Sequence, residues 1–170
     1  LRELGQTPVT VVSSGAKSIL DLPATREVLE TEGVAVIGHG VDELPAFFAR
    51  SSGLPVDARL DSPGEVAALI EARRGLGLSS GTLVTVPAPE EASLDPEEAE
   101  AAAARAAREA DAQGIHGPAS TPWLLRRVVE LTAGRSMTAN TALLRNNGRV
   151  AAQIAAALTA LRQGTIMAVN

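Results

Sequence analysis

Cysteine is absent from this 170-residue chain, which removes disulfides, thiolate catalysis and cysteine-type zinc sites. Aromatic residues are nearly absent too: Phe47, Phe48 and Trp123 are all there are, and tyrosine is missing. Base-stacking platforms need aromatic faces, so this composition argues against a single-strand nucleic-acid binder. Positive charge is in deficit. A net charge of -5 and a pI near 5.1 argue against nucleic acid or an anionic membrane as the main partner. No apolar run approaches the roughly 18 residues of a membrane span. Lysine is scarcest of all. Of 15 basic residues 14 are arginine, and Lys17 is the single lysine. A cysteine-free, acidic chain without a spanning segment is compatible with the cytoplasm, the expected compartment.

What remains is ordinary for a globular protein: 45% hydrophobic and 21% charged residues, sized for one domain with a core of Ala, Val, Leu and Ile. Val9 to Val12 reads as a short buried strand. Pro23 to Thr31 reads as a helix with proline in its first turn, and Val34 to Gly38 as a second strand. A strand, a helix and a strand in this order predict a parallel pair with a crossover. Asp57 to Leu60 suggests a third short strand. Asp61-Ser62-Pro63 starts a helix to about Leu76, and Thr82 to Val86 is a further buried strand. Helices alone follow, from Glu97 to about Gln113, from Trp123 to Thr132 and from about Thr138 to Arg162, with no clear signal after that. The expected fold is α/β, a layered α/β/α domain with a mostly parallel or mixed sheet and a helical C-terminal layer. Leu1 to Gly5 reads as a helix end with Gly5 as its C-cap. A start inside a helix predicts that residues 1–170 form a single domain that is the C-terminal part of a larger catalytic domain.

Lys17 follows the first strand in Ser13-Ser14-Gly15-Ala16-Lys17-Ser18. Arginine cannot give up its proton or form an imine, whereas lysine does both. Such a lysine attacks as the free amine. Near its ordinary value of about 10.4, only about one lysine in a few thousand is neutral at pH 7, so burial or a nearby cation has to favour the amine. The same stretch lacks the spacing of a nucleotide phosphate loop. The alternative is a surface lysine in a turn.

Asn140 and Asn147 lie seven residues apart on one face of the last helix, with Asn146 beside them. Buried amides without partners are costly, so this face reads either as a ligand contact or as a polar helix flank. His39 ends a strand, and His116 sits in a glycine-bounded turn. Neither has a partner at metal-ligand spacing. Arg50-Ser51-Ser52-Gly53 reads equally as a phosphate-binding loop or a solvated one, and Glu90-Glu91 as a loop pair.

These stretches resemble the pseudouridine-5'-phosphate glycosidase family, related to the indigoidine synthase A-like proteins. The resemblance rests on VTVVSSGAKSILDL (9–22), LETEGVAVIG (29–38) and LPAFFARSSGLPVDARLDSPGEVA (44–67). It continues in EADAQGIHGPASTPWLLRRVVELTAGRSMTANTALLRNN (109–147), so nearly the whole chain is covered in register. It implies reversible C–C glycosidic cleavage of pseudouridine 5'-phosphate to uracil and ribose 5-phosphate, a reaction of nucleotide catabolism. It further implies Lys17 as the residue that forms a Schiff base with C1' of the opened ribose, Asn140 as an active-site asparagine, a divalent metal, typically manganese, and a homotrimer. The family's general acid, metal ligands and phosphate ligands are expected upstream of Leu1. Two positions depart from the pattern. Val86 stands where an asparagine opens an N-P-I-P run, and Gly148 stands where alanine is common. The alternatives are a catalytically incomplete fragment or non-catalytic interaction module of that family, or another Schiff-base lyase acting on a sugar phosphate.

Overall fold

The computed structural model describes residues 1–17 and 21–169, with side chains through residue 164. Its centre is a four-stranded sheet built from the apolar runs. The strands are β1 (Thr10–Ser13), β2 (Ala35–His39), β3 (Ala58–Leu60) and β4 (Thr82–Thr85), in the spatial order β1-β4-β2-β3. Every pairing is parallel, with Ser13 opposite Thr85 and Thr85 opposite Gly38. β1 and β2 run parallel as the crossover helix predicted, but they do not pair with each other, because β4 inserts between them. β4 is central and buried at every position. Alternation along each strand sorts the core into two faces. Val11, Leu83 and Val36 face one side and pack with Leu29 and Val34. Val12, Val84 and Ile37 face the other and pack with Val66, Val150 and Ile154.

The helices follow from local signals. α1 covers Arg2–Gln6 and α2 covers Leu22–Thr31, capped by Asp21, whose Oδ1 accepts the Ala24 N–H at 2.9 Å. α3 (Pro63–Gly75) opens with a reciprocal capping box between Ser62 and Glu65. α4 (Pro96–Ala112) is capped by Asp95 and buries five alanines, so it packs closely with little area. α5 (Ser120–Leu131) and α6 (Arg135–Val169) complete the helical layer. Among the described residues no helix is long and apolar enough to cross a membrane.

Four boundaries differ from expectation. Gly5 lies inside α1, and extended Thr7 ends the helix. Gly5 is needed for packing instead, since a Cβ there would lie 2.7 Å from a Glu32 carboxylate oxygen. Thr121-Pro122 falls within the first turn of α5 rather than before it. α6 begins three residues earlier than the apolar periodicity shows. Ala133 and Gly134, both at positive φ, turn the chain, and the Thr132 hydroxyl accepts the Ser136 N–H at 3.2 Å. α6 also continues past Arg162, where the sequence carried no clear signal.

α6 runs antiparallel to the strands. Asn147 meets Ser14 at the carboxyl end of β1, whereas Arg162 meets Glu71 on α3. Glu71 lies near Arg73, which reaches the Ser80 and Gly81 carbonyls just before β4. The first turns of α6 therefore overhang the carboxyl edge of the sheet. There Ala139 joins α4, Val128 and the 44–49 loop in a third apolar cluster.

α4 and α5 are tied by charge. Arg127 donates to both Glu109 oxygens, at 2.5 and 3.2 Å, and Arg105 donates at 2.9 Å. Hydrogen bonds from Arg127 first and Arg105 second lower the Glu109 carboxyl from its ordinary 4.5 to about 2. A depressed folded value means the contribution is full above pH 4.5 and is lost as pH falls toward 2. Arg127→Met is thus expected to destabilise the chain more at pH 7 than at pH 2.5. Urea titrations at the two pH values check this, and an equal loss at both would refute the linkage.

Candidate functional site

In open parallel sheets, ligands bind beyond the carboxyl ends of the strands. Lys17 stands at that edge, four residues past the end of β1, and is half-buried. The chain reaches it through a tight passage. Ser14 is buried, and its hydroxyl donates to Asn147 Oδ1 at 3.1 Å. Gly15 has φ +80 and is bridged to Ala46. A Cβ on Gly15 would lie 1.7 Å from the Pro45 carbonyl oxygen, so only glycine fits.

The segment from Leu44 to Ala49 is a buried loop clasped over this passage. The Phe47 N–H donates to the Ser14 carbonyl at 2.9 Å, and the Leu94 N–H donates to the Phe48 carbonyl at 2.9 Å. Phe47 itself sits at φ +64, outside the conformations that a side chain with a Cβ prefers. Its ring centroid lies 5.9 Å from Lys17 Nζ, within cation–π range, and the Phe48 ring meets it edge-on at 4.7 Å. The sequence reading missed Phe47. Its available signal was an aromatic pair in a chain with one other aromatic residue.

Asn140 lies on the overhanging part of α6, two turns before Asn147 and thus about 10 Å along the helix. It is half-buried, and its amide makes no hydrogen bond to a described residue. Lys17 and Asn140 therefore share one end of the sheet, with no hydrogen bond between them. Asn147 is explained by its protein partner, Ser14. Asn146 donates to the Pro87 carbonyl at 3.3 Å and accepts from Arg149 at 2.7 Å. Of these three asparagines, Asn140 alone keeps its side-chain amide without a hydrogen-bond partner among the described residues.

The remaining candidates separate clearly. A cleft of about 470 Å³ adjoins the 44–54 loop, lined in part by Asp21, Leu22, Ser51, Ser52, Gly53 and Glu100. Its two carboxylates disfavour a phosphate. The Ser51 hydroxyl donates to Glu43, the Ser52 hydroxyl to the Leu44 carbonyl at 2.6 Å, and Arg50 to the Ala88 carbonyl at 2.5 Å. That segment is a solvated structural loop. His39 ends β2, with Nδ1 enclosed and without a hydrogen-bond partner among the described residues. His116 is exposed beside a short turn, and Glu90-Glu91 lie in an exposed one. Ser18, Ile19 and Leu20 of the lysine stretch lie outside the described residues. Among the described residues no group of three His, Asp or Glu side chains is placed to hold a metal ion.

The two departures from the family pattern have simple settings. Val86 is buried in the cluster with Val84, Val150 and Ile154. Gly148 lies exposed within α6, with nothing within 4 Å of an added Cβ. Gly148→Ala is expected to stabilise the chain by about 0.5–1 kcal/mol, by lowering the backbone entropy lost on helix formation. A urea midpoint at or below that of the parent would contradict this.

A parallel sheet with a half-buried lysine at its carboxyl edge, clasped by a strained aromatic loop, defines an α/β protein with a candidate nucleophile at the ligand-binding end. The chain belongs to the indigoidine synthase A like protein family, whose model matches residues 1–157. It is 56% identical over 158 residues to a pseudouridine-5'-phosphate glycosidase of Paracoccus denitrificans, covering 93% of this chain and 52% of that protein. It is 53% identical over 158 residues to the protein of that name from Herpetosiphon aurantiacus, with the same two coverages. Among solved structures it resembles the prealnumycin C-glycosynthase AlnA in complex with ribulose 5-phosphate. The TM-score there is 0.88 and the identity 37%, covering 96% of this chain and 54% of that one. An indigoidine synthase A-like protein of Thermotoga maritima matches with a TM-score of 0.81 and 36% identity, covering 92% and 51%. The chain thus spans about half the length of the curated relatives it matches.

Proposed function

We propose that this chain carries the imine-forming part of a pseudouridine-5'-phosphate glycosidase, which reversibly cleaves the C–C bond between uracil and ribose 5-phosphate. The observation that carries the reading is the placement of Lys17. The chain's single lysine stands at the carboxyl edge of the sheet, in a sequence more than half identical to proteins of that name. In the cleavage direction the C1'–O4' bond opens as O4' takes a proton, Nζ bonds to C1', and the Nζ lone pair then expels C5, which takes the bond pair and a proton to leave as uracil. The protonated imine left at C1' is hydrolysed by water, which supplies the C1' oxygen of ribose 5-phosphate and frees the Lys17 amine. Asn140, with its amide free at the same edge, is assigned to the bound sugar. The proposal includes a homotrimer, as the family resemblance implies, in the cytoplasm, with which the cysteine-free composition is compatible; light scattering on the purified protein reports the trimer.

The test is borohydride trapping with ribose 5-phosphate, followed by peptide mass mapping, on a chain of the relatives' full length that includes this sequence. An adduct on Lys17 is expected, and its absence would sink the mechanism. The 170-residue chain alone is expected to show little turnover of pseudouridine 5'-phosphate. A second reading, a Schiff-base lyase for another pentose phosphate, is favoured by the likeness to a C-glycosynthase crystallised with ribulose 5-phosphate. Profiling pseudouridine 5'-phosphate against other sugar phosphates separates the two.

A further inference from the structure

The 44–49 loop holds a bulky aromatic residue where glycine is normally preferred, and several contacts force it to stay there. Phe47 has φ +64. Its N–H is bound to the Ser14 carbonyl at 2.9 Å, and Ala46 is bridged both to Gly15 and to Ala49. The Phe48 ring is packed at 66° against the Phe47 ring. A disfavoured backbone conformation held by this many contacts is a pointer to function. Its consequence is specific. It sets the Phe47 ring 5.9 Å from the Nζ of the chain's single lysine. Ser14 and Gly15 join strand and loop three and two residues before Lys17, so the relation between ring and amine is built into the fold.

We propose that Phe47 is a positioning residue that stabilises the cationic nitrogen of the Lys17 imine through its ring face. This rests on the reading of Lys17 as the imine-forming lysine. When the imine forms from ribose 5-phosphate, the Nζ lone pair makes a C–N bond to the aldehyde carbon C1'. The carbonyl oxygen leaves as water with one proton from the amine and one from solvent. The product nitrogen carries a positive charge, and a face of negative π density attracts it. The ring contributes no atom to the reaction. It lowers the free energy of the charged adduct relative to the neutral amine and aldehyde.

The experiment measures reductive trapping against ribose 5-phosphate concentration, on a chain of the relatives' full length. Phe47→Leu is expected to raise the half-saturating concentration by about three- to tenfold. Phe47→Trp is expected to stay within about twofold of the parent. Site-specific replacement of Phe47 by mono-, di- and trifluorophenylalanine changes size little but drains the ring face stepwise. The half-saturating concentration is expected to climb with each fluorine, which a purely structural role would not produce. A flat fluorine series overturns the proposal even if Phe47→Leu is impaired, since the leucine effect would then be one of folding. If the parent itself gives no Lys17 adduct, the Schiff-base reading fails first and takes this inference with it.

Discussion

Lys17→Arg is expected to abolish imine trapping and to lower turnover of pseudouridine 5'-phosphate by about a thousandfold or more, the scale seen when a covalent nucleophile is removed. Arginine keeps the charge and most of the stem, and its guanidinium is compatible with a place over the Phe47 ring. The fold should therefore survive, as circular dichroism and an unchanged urea midpoint would show. What is lost is a nitrogen able to present a lone pair. The comparison has to be made in a chain of the relatives' full length, because this chain spans about half of theirs. Turnover within tenfold of the parent would mean that Lys17 contributes only charge, and that some other group carries the covalent step.

The largest stability effect is expected at Gly15. Gly15→Ala places a Cβ 1.7 Å from the Pro45 carbonyl oxygen and 2.8 Å from its carbonyl carbon, both backbone atoms that cannot rotate aside. The residue also sits at φ +80. Positive-φ strain and overpacking together are expected to cost about 3 kcal/mol or more. Relief requires opening the Gly15–Ala46 bridge, which would also disturb the Phe47–Ser14 hydrogen bond and the Ser14–Asn147 contact. Gly40 is the control, with φ +72 and nothing within 4 Å of an added Cβ. Gly40→Ala carries the backbone strain without the clash, so it should cost about 1 kcal/mol. Equal losses for the two variants in urea denaturation would show that the clasp on Gly15 yields, contrary to this account.

Much of the scaffold was legible from local chemistry. Val34 to Gly38 and Thr82 to Val86 are apolar runs bounded by glycine, serine and proline, and they fall within a residue of β2 and β4. Ser62 and Asp95 announce their helices because a short polar side chain before proline and glutamate satisfies free N–H groups in the first turn. Lys17 stood out by composition alone, as the one basic side chain able to form an imine. The start of α6 was less legible, because its first residues are polar and its entry depends on Ala133 and Gly134 at positive φ.

The sequence by itself determined the alternation of strand and helix, the parallel sense of the first two strands and the presence of one chemically distinct lysine. These follow from periodicity, capping and side-chain chemistry, which act over a few residues. Only the tertiary structure decided the spatial order β1-β4-β2-β3 and the overhang of α6 that brings Asn140 to the carboxyl edge. It also decided which buried asparagine is already satisfied, and that Phe47 lies over Lys17. Each of these depends on contacts between segments far apart in the chain, such as Ser14 with Asn147 across 133 residues. The physical reason is that such contacts are set by how the faces pack, and no local pattern in either partner encodes the other.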